Sequence, residues 1–68
     1  MRLKVDNMSC QHCVNAVTRA LRALDPAAEV TVDLASGEVR ADGHFDAEAA
    51  IAALAEADYP ATLLAAAG

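Results

Sequence analysis

The chain opens on an alternation: Met1, Leu3 and Val5 are apolar while Arg2, Lys4 and Asp6 are polar, the period of a strand buried on one face. Asn7 to Cys10 break that pattern. From Gln11 onward Val14, Val17, Leu21 and Leu24 recur at helical spacing, and Asp25-Pro26 ends the helix they predict. A second alternation follows, with Val30, Val32 and Leu34 inward and Glu29, Thr31 and Asp33 outward. Ala35-Ser36-Gly37 then makes a tight connection to a third strand, where Val39 and Ala41 face the same core. Asp42-Gly43-His44 turns the chain again, Asp46 is placed to cap a second helix, and Glu48 in its first turn suits the helix dipole. Ile51 and Leu54, with Ala47, Ala50 and Ala57, form the apolar stripe of that helix. Its abundance of alanine reflects helix propensity and close packing on a sheet, with no functional message. Pro60 opens a last, short edge strand from which Ala61 and Leu63 face inward.

The element order β-α-β-β-α-β predicts the α+β class: a ferredoxin-like open-faced sandwich, two helices on a four-stranded antiparallel sheet. Residues 1–68 form a single domain in this reading, small enough that one apolar core is only marginally stabilising. The two cysteines offer no disulfide framework, and a bond between Cys10 and Cys13 would close too short a loop to stabilise the fold. No stretch approaches the roughly 18 consecutive apolar residues of a membrane helix, and the N-terminus lacks the order of a signal peptide. Cytoplasmic residence, where thiols stay reduced, is the expectation, as is a free-standing protein without membrane insertion. The formal net charge of -5 argues against nucleic acid as a partner.

Chemistry concentrates in Cys10-Gln11-His12-Cys13, where extended chain gives way to helix. Cys10 falls in the loop and Cys13 in the first helical turn, where free N–H groups and the positive helix end favour thiolates. Such a pair can be a metal clamp, a redox dithiol or half of a zinc site. An i, i+3 spacing brings two sulfurs to roughly 4.5 Å, about twice a metal–sulfur bond of ~2.3 Å, which suits a metal with two ligands. Cu(I) is soft and thiolate-seeking, whereas structural zinc wants four ligands. Those further ligands are hard to find: His12 projects away from the point where the cysteines converge, and His44 sits at the far end of the third strand. Asp6 and Asp58 offer only hard oxygen. Two chains can supply four sulfurs, so a copper-bridged dimer stands beside the apo monomer. A thioredoxin-type domain does not fit in a chain of 68 residues.

The stretch Asn7-Met8-Ser9-Cys10-Gln11-His12-Cys13 resembles the Met-x-Cys-x-x-Cys loop of heavy-metal-associated (HMA) domains, most of all that of the bacterial CopZ-type copper chaperones. The likeness covers length, element order, motif position and Tyr59 before the last strand. It implies that Cys10 and Cys13 bind Cu(I) in near-linear fashion, that Met8 packs inward and steadies the loop, and that Tyr59 lies near the metal. A glycine usually precedes the motif methionine in that family, and often the tyrosine; Asn7 and Asp58 stand in those places here.

Read from the residues alone, Met8 is a buried anchor before it is a thioether ligand, and His44 a turn residue. His12 is an exposed histidine whose other roles are tuning loop charge or joining a metal bridge between two chains. Tyr59 either shields the metal and bonds a thiolate or covers the core edge. Arg19 and Arg22 are placed on the exposed side of the first helix, next to the metal end, and Asp46, Glu48, Glu56 and Asp58 about the second; these charges read first as a solvated surface, and the arginines, if they form a docking face, would steer an acidic partner. The expected function is a Cu(I) chaperone, a carrier and not an enzyme. The resemblance implies delivery to the metal-binding domain of a copper-transporting P-type ATPase or to a copper-responsive repressor. The alternatives are a carrier or sensor for Hg(II), Zn(II) or Cd(II), and a thiol–disulfide oxidoreductase.

Overall fold

A computed structural model describes residues 1–65. The elements run β1 (Arg2–Val5), α1 (Gln11–Leu24), β2 (Glu29–Asp33), β3 (Glu38–Asp42), α2 (Ala47–Glu56) and β4 (Ala61–Ala65). The strands form one sheet in the order β2-β3-β1-β4 with every neighbouring pair antiparallel, and this is the ferredoxin-like split sandwich that the patterning predicts.

Register explains the core. Leu3 of β1 lies opposite Val39 of β3 and Leu63 of β4, so apolar side chains line one face of the sheet. Leu3, Val5, Val39 and Ala41 on that face meet Val17 and Leu21 of α1 and Ala50 and Leu54 of α2, all at most 2% exposed. Asp46 caps α2 as expected, its carboxylate accepting from the Ala49 N–H at 2.8 Å.

Three leucines expected to face inward are partly open to solvent. Leu34 does not continue β2: Asp33 accepts the Ala35 N–H on its side chain and the Gly37 N–H on its carbonyl, closing a turn that starts at Leu34 and leaves it exposed. Gly37 takes a left-handed φ of 74° there, which its lack of a Cβ permits. Leu24 is the last residue of α1 and protrudes where the core ends. Leu63 shares Leu3's face, but β4 is an edge strand with a neighbour on one side only, and the side chain remains exposed.

This topology gathers three connections at one end of the sheet. The Val5 N–H donates to the Gly37 carbonyl and the Asp6 N–H to the Pro60 carbonyl, both at 2.8 Å, so β1–α1, β2–β3 and α2–β4 meet there. At the opposite end the Asp25 carboxylate accepts from the His44 and Ala27 N–H groups. Those two bonds, His44's first, hold the Asp25 carboxyl below its ordinary value. His44 is thus a turn residue separated from the cysteines by the length of α1, about 21 Å for 14 residues.

Candidate metal centre

Both cysteines sit at the three-connection end, and α1 places them. Cys10 is the N-cap residue, in extended conformation (φ -157°, ψ 176°), and its carbonyl accepts from the Cys13 and Val14 N–H groups. The difference from α2 is instructive. At α2 an aspartate carboxylate takes one of the free N–H groups, that of Ala49; at α1 no side chain caps the helix and no acidic residue occupies its first turn. A sulfur lies at the α1 end instead, and the backbone N–H groups that favour its ionisation come from Ser9 and Cys10, just before the helix.

That sulfur belongs to Cys13. The backbone N–H of Ser9, then the Tyr59 hydroxyl, then the backbone N–H of Cys10 donate to its thiolate and bring its pKa from 9.0 down to about 6. The Tyr59 hydroxyl is itself harder to ionise, first because it donates to Cys13. As a neutral thiol, Cys13 instead points its proton at the Asn7 carbonyl, 3.6 Å away. The Cys10 Sγ lies 3.7 Å from the Cys13 Sγ, and Cys10 is exposed where Cys13 is half-buried. A two-coordinate soft metal fits between them if the sulfurs separate by roughly 1 Å, to about 4.5 Å.

Met8 and Tyr59 are both half-buried and pack against the core. His12 is exposed on the first turn of α1. Among the described residues no three His, Cys, Asp or Glu side chains converge as a metal cage, so Asp6, Asp58 and the histidines add nothing to the sulfur pair within one chain. Arg19 and Arg22 are exposed but not next to the metal end as expected: Arg22 is in the last turn of α1, donating to the Ala28 carbonyl at 3.3 Å, and with Asn15 and Thr18 the two line a shallow groove of about 310 Å³.

The two positions where the family usually has glycine carry the backbone conformation that glycine serves. Asn7 and Asp58 both have φ 70°, in the left-handed region, and Asn and Asp are the residues other than glycine that enter it most readily. The Asn7 side-chain amide also donates to the Asp58 carbonyl at 3.3 Å. Sequence reasoning missed Ser9 and Asn7 as parts of the site. Asn7 and Asp58 at two glycine places were the available signal; nothing marks Ser9, which acts through its backbone.

The Tyr59 contact has a measurable consequence. In a Cys10→Ser background, where one thiol remains, alkylation of Cys13 is expected to follow a pH midpoint below the ordinary thiol value. Tyr59→Phe removes a donor to the thiolate and moves that midpoint up. It stays below the ordinary thiol value because the Ser9 N–H, the largest contributor, remains. An unchanged midpoint would show that the hydroxyl does not engage the sulfur.

Known proteins resemble this one in sequence and in fold. Copper chaperone CopZ of Bacillus subtilis (strain 168) is 48% identical over 46 residues, 68% of this chain and 64% of that protein. The matched stretch thus spans just under two thirds of that curated relative's length. The copper chaperone Atx1 from Synechocystis PCC6803, in its Cu2 form, superposes with a TM-score of 0.87 at 32% identity, over 91% of this chain and 98% of that one. A gold binding protein aligns with a TM-score of 0.85 at 33% identity, over 90% of this chain and 94% of its own. The model of the heavy-metal-associated domain matches residues 2–60, from the first strand through the cysteine loop to the proline after Tyr59, and the chain belongs to that family.

Proposed function

We propose that this protein is a cytosolic Cu(I) chaperone that binds the ion through the Cys10 and Cys13 thiolates and passes it on by ligand exchange. The observation that carries the reading is the sulfur pair itself: two thiols 3.7 Å apart, at a helix end left uncapped, one of them ionised above about pH 6. Two soft anionic donors suit Cu(I) and leave a four-coordinate metal unsatisfied.

Exchange follows from the unequal exposure of the two sulfurs. Cys13 is the anchored ligand, held among the N–H groups and under Tyr59, while Cys10 faces solvent. An incoming thiolate from an acceptor approaches on the Cys10 side and adds to the ion as a third ligand. Cys10 then leaves, a second acceptor thiolate takes its place, and Cys13 departs last. The copper stays Cu(I) and no thiol is oxidised. The acceptor is a domain bearing its own cysteine pair, of the kind found in copper-transporting P-type ATPases, or a copper-responsive repressor. Arg19 and Arg22 provide the basic surface that an acidic acceptor would meet. Met8 supports the loop from beneath, Tyr59 shields the anchored sulfur, and His12 remains available to a copper-bridged pair of chains.

The likeness to a gold binding protein favours a second reading, a carrier for another soft ion on the same sulfurs. An anaerobic competition titration of reduced protein against a coloured Cu(I) chelator, with zinc present throughout, tests the copper reading. Near-stoichiometric removal of Cu(I) from the chelator, undisturbed by zinc, is the expected result. Failure to compete, or displacement by zinc, would overturn the copper assignment.

A further inference from the structure

Asn7 occupies a position with two independent connections. Its carbonyl lies 3.6 Å from the Cys13 Sγ, and its side-chain amide donates to the Asp58 carbonyl at 3.3 Å. Asp58 directly precedes Tyr59, whose own N–H is fixed to the Leu54 carbonyl at 2.8 Å at the end of α2. The metal loop and the α2–β4 connection are already strapped once, by the Asp6 N–H to the Pro60 carbonyl at 2.8 Å. The Asn7 amide adds a second strap, one residue nearer the cysteines on one side and one residue beyond Tyr59 on the other. Glycine would adopt the same left-handed backbone with less strain, but glycine has no amide to donate. The asparagine therefore supplies something that the backbone conformation alone does not require.

We infer that Asn7 is a positioning residue: its side-chain amide clips the Asp58–Tyr59 segment to the metal loop, so that Tyr59 is held over Cys13 and the anchored sulfur keeps its metal. The functional part of this inference rests on the Cu(I) reading above; the clip itself does not. Without the amide, the Asp6–Pro60 strap still joins the two segments, so the fold persists while the tyrosine ring gains freedom to swing off the sulfur. Tyr59 then no longer closes one side of the pair, and Cys13 gives up its ion more readily to a competing thiolate or chelator.

Tyr59 is the single tyrosine in a chain without tryptophan, so its emission reports on this segment alone. Two variants remove the donor in different ways. Asn7→Gly relaxes the backbone at φ 70°, whereas Asn7→Asp keeps an aspartyl-type side chain there without an N–H to give. In the metal-free protein, acrylamide quenching of Tyr59 emission is expected to rise about twofold or more in both variants, as a local tether is lost without global unfolding. In the competition with a Cu(I) chelator, both are expected to retain Cu(I) about tenfold less tightly, the usual scale for a residue that orients a metal ligand. Unchanged quenching in either variant would overturn the clip. Raised quenching with wild-type Cu(I) retention would overturn its role toward the metal. If the unaltered protein takes no Cu(I) at all, the proposed function fails, and the quenching comparison still decides whether Asn7 holds Tyr59.

Discussion

Cys13→Ser is expected to lower Cu(I) retention by more than about 100-fold, beyond what the loss of a ligand-orienting neighbour costs, because the change removes a ligand outright. A two-thiolate site has no spare donor, and a serine hydroxyl is neither ionised at neutral pH nor soft. Cys10→Ser should also lose tight binding but leave a measurable residue. Cys13 would still ionise more readily than an ordinary thiol, supported first by the Ser9 N–H and then by Tyr59. Chelator competition at pH 7 with both single variants and the double variant measures this order. Raising the proton concentration tests the same asymmetry. Because the folded pKa of Cys13 is depressed, its ionised form favours the folded state fully above the ordinary thiol value, and this contribution is lost as pH falls through about 6. Metal retention should weaken over the lower part of that range, where protons begin to compete for the anchored sulfur. The single variants also weigh the redox alternative. An oxidoreductase exposes its easily ionised thiol to a disulfide substrate. Here Cys13, whose ionisation is favoured, is half-buried. An oxidoreductase altered at Cys13 would accumulate mixed disulfides through exposed Cys10; a metal carrier would not.

The strands and helices were legible because each carries one unambiguous period over its whole length, and the turns between them are rich in Gly, Pro and Asp. The place of the cysteines was equally legible, since an extended segment running into a helix puts the second thiol at free N–H groups whatever the tertiary details. What local sequence could not show depended on competition or on distant pairing. Leu34 fits the alternation of β2, but the Asp33 side chain bonds the backbone two residues on and the turn wins. Leu63 obeys its face, yet an edge position does not bury it. The link from Tyr59 to Cys13 joins residues 46 positions apart and exists only because α2 and β4 bring their connection to the end of the sheet where α1 begins. For that reason core-edge cover and thiolate donor were equally good readings of Tyr59. The left-handed Asn7 and Asp58 lie between these cases: their composition hinted at the backbone, while the hydrogen bond between them needed the fold.

Leu54→Ala is expected to remove a large part of the stability of the apoprotein and, with it, the order of the metal site. Leu54 is fully buried and is among the largest side chains in the core. Truncating a buried leucine costs about 2–5 kcal/mol, the higher figures applying where neighbours cannot collapse into the space. The rest of α2's buried face is poorly suited to such repair, since its other fully buried residue is Ala50. Against a total of roughly 3–10 kcal/mol for a domain of 68 residues, that loss is a large fraction of the stability. The Leu54 carbonyl also accepts the Tyr59 N–H, so slackening in α2 reaches the residue that covers Cys13. Leu24→Ala provides the contrast: a leucine 40% exposed at the end of α1 should cost far less. Thermal melts of both variants with and without Cu(I) complete the argument. An ion bound only by the folded state stabilises it in proportion to the logarithm of its excess over Kd. The Leu54→Ala melt should therefore recover on adding Cu(I), whereas a Leu54→Ala, Cys13→Ser double variant should not. Recovery in the double variant would mean that the stabilising ion binds somewhere other than the sulfur pair.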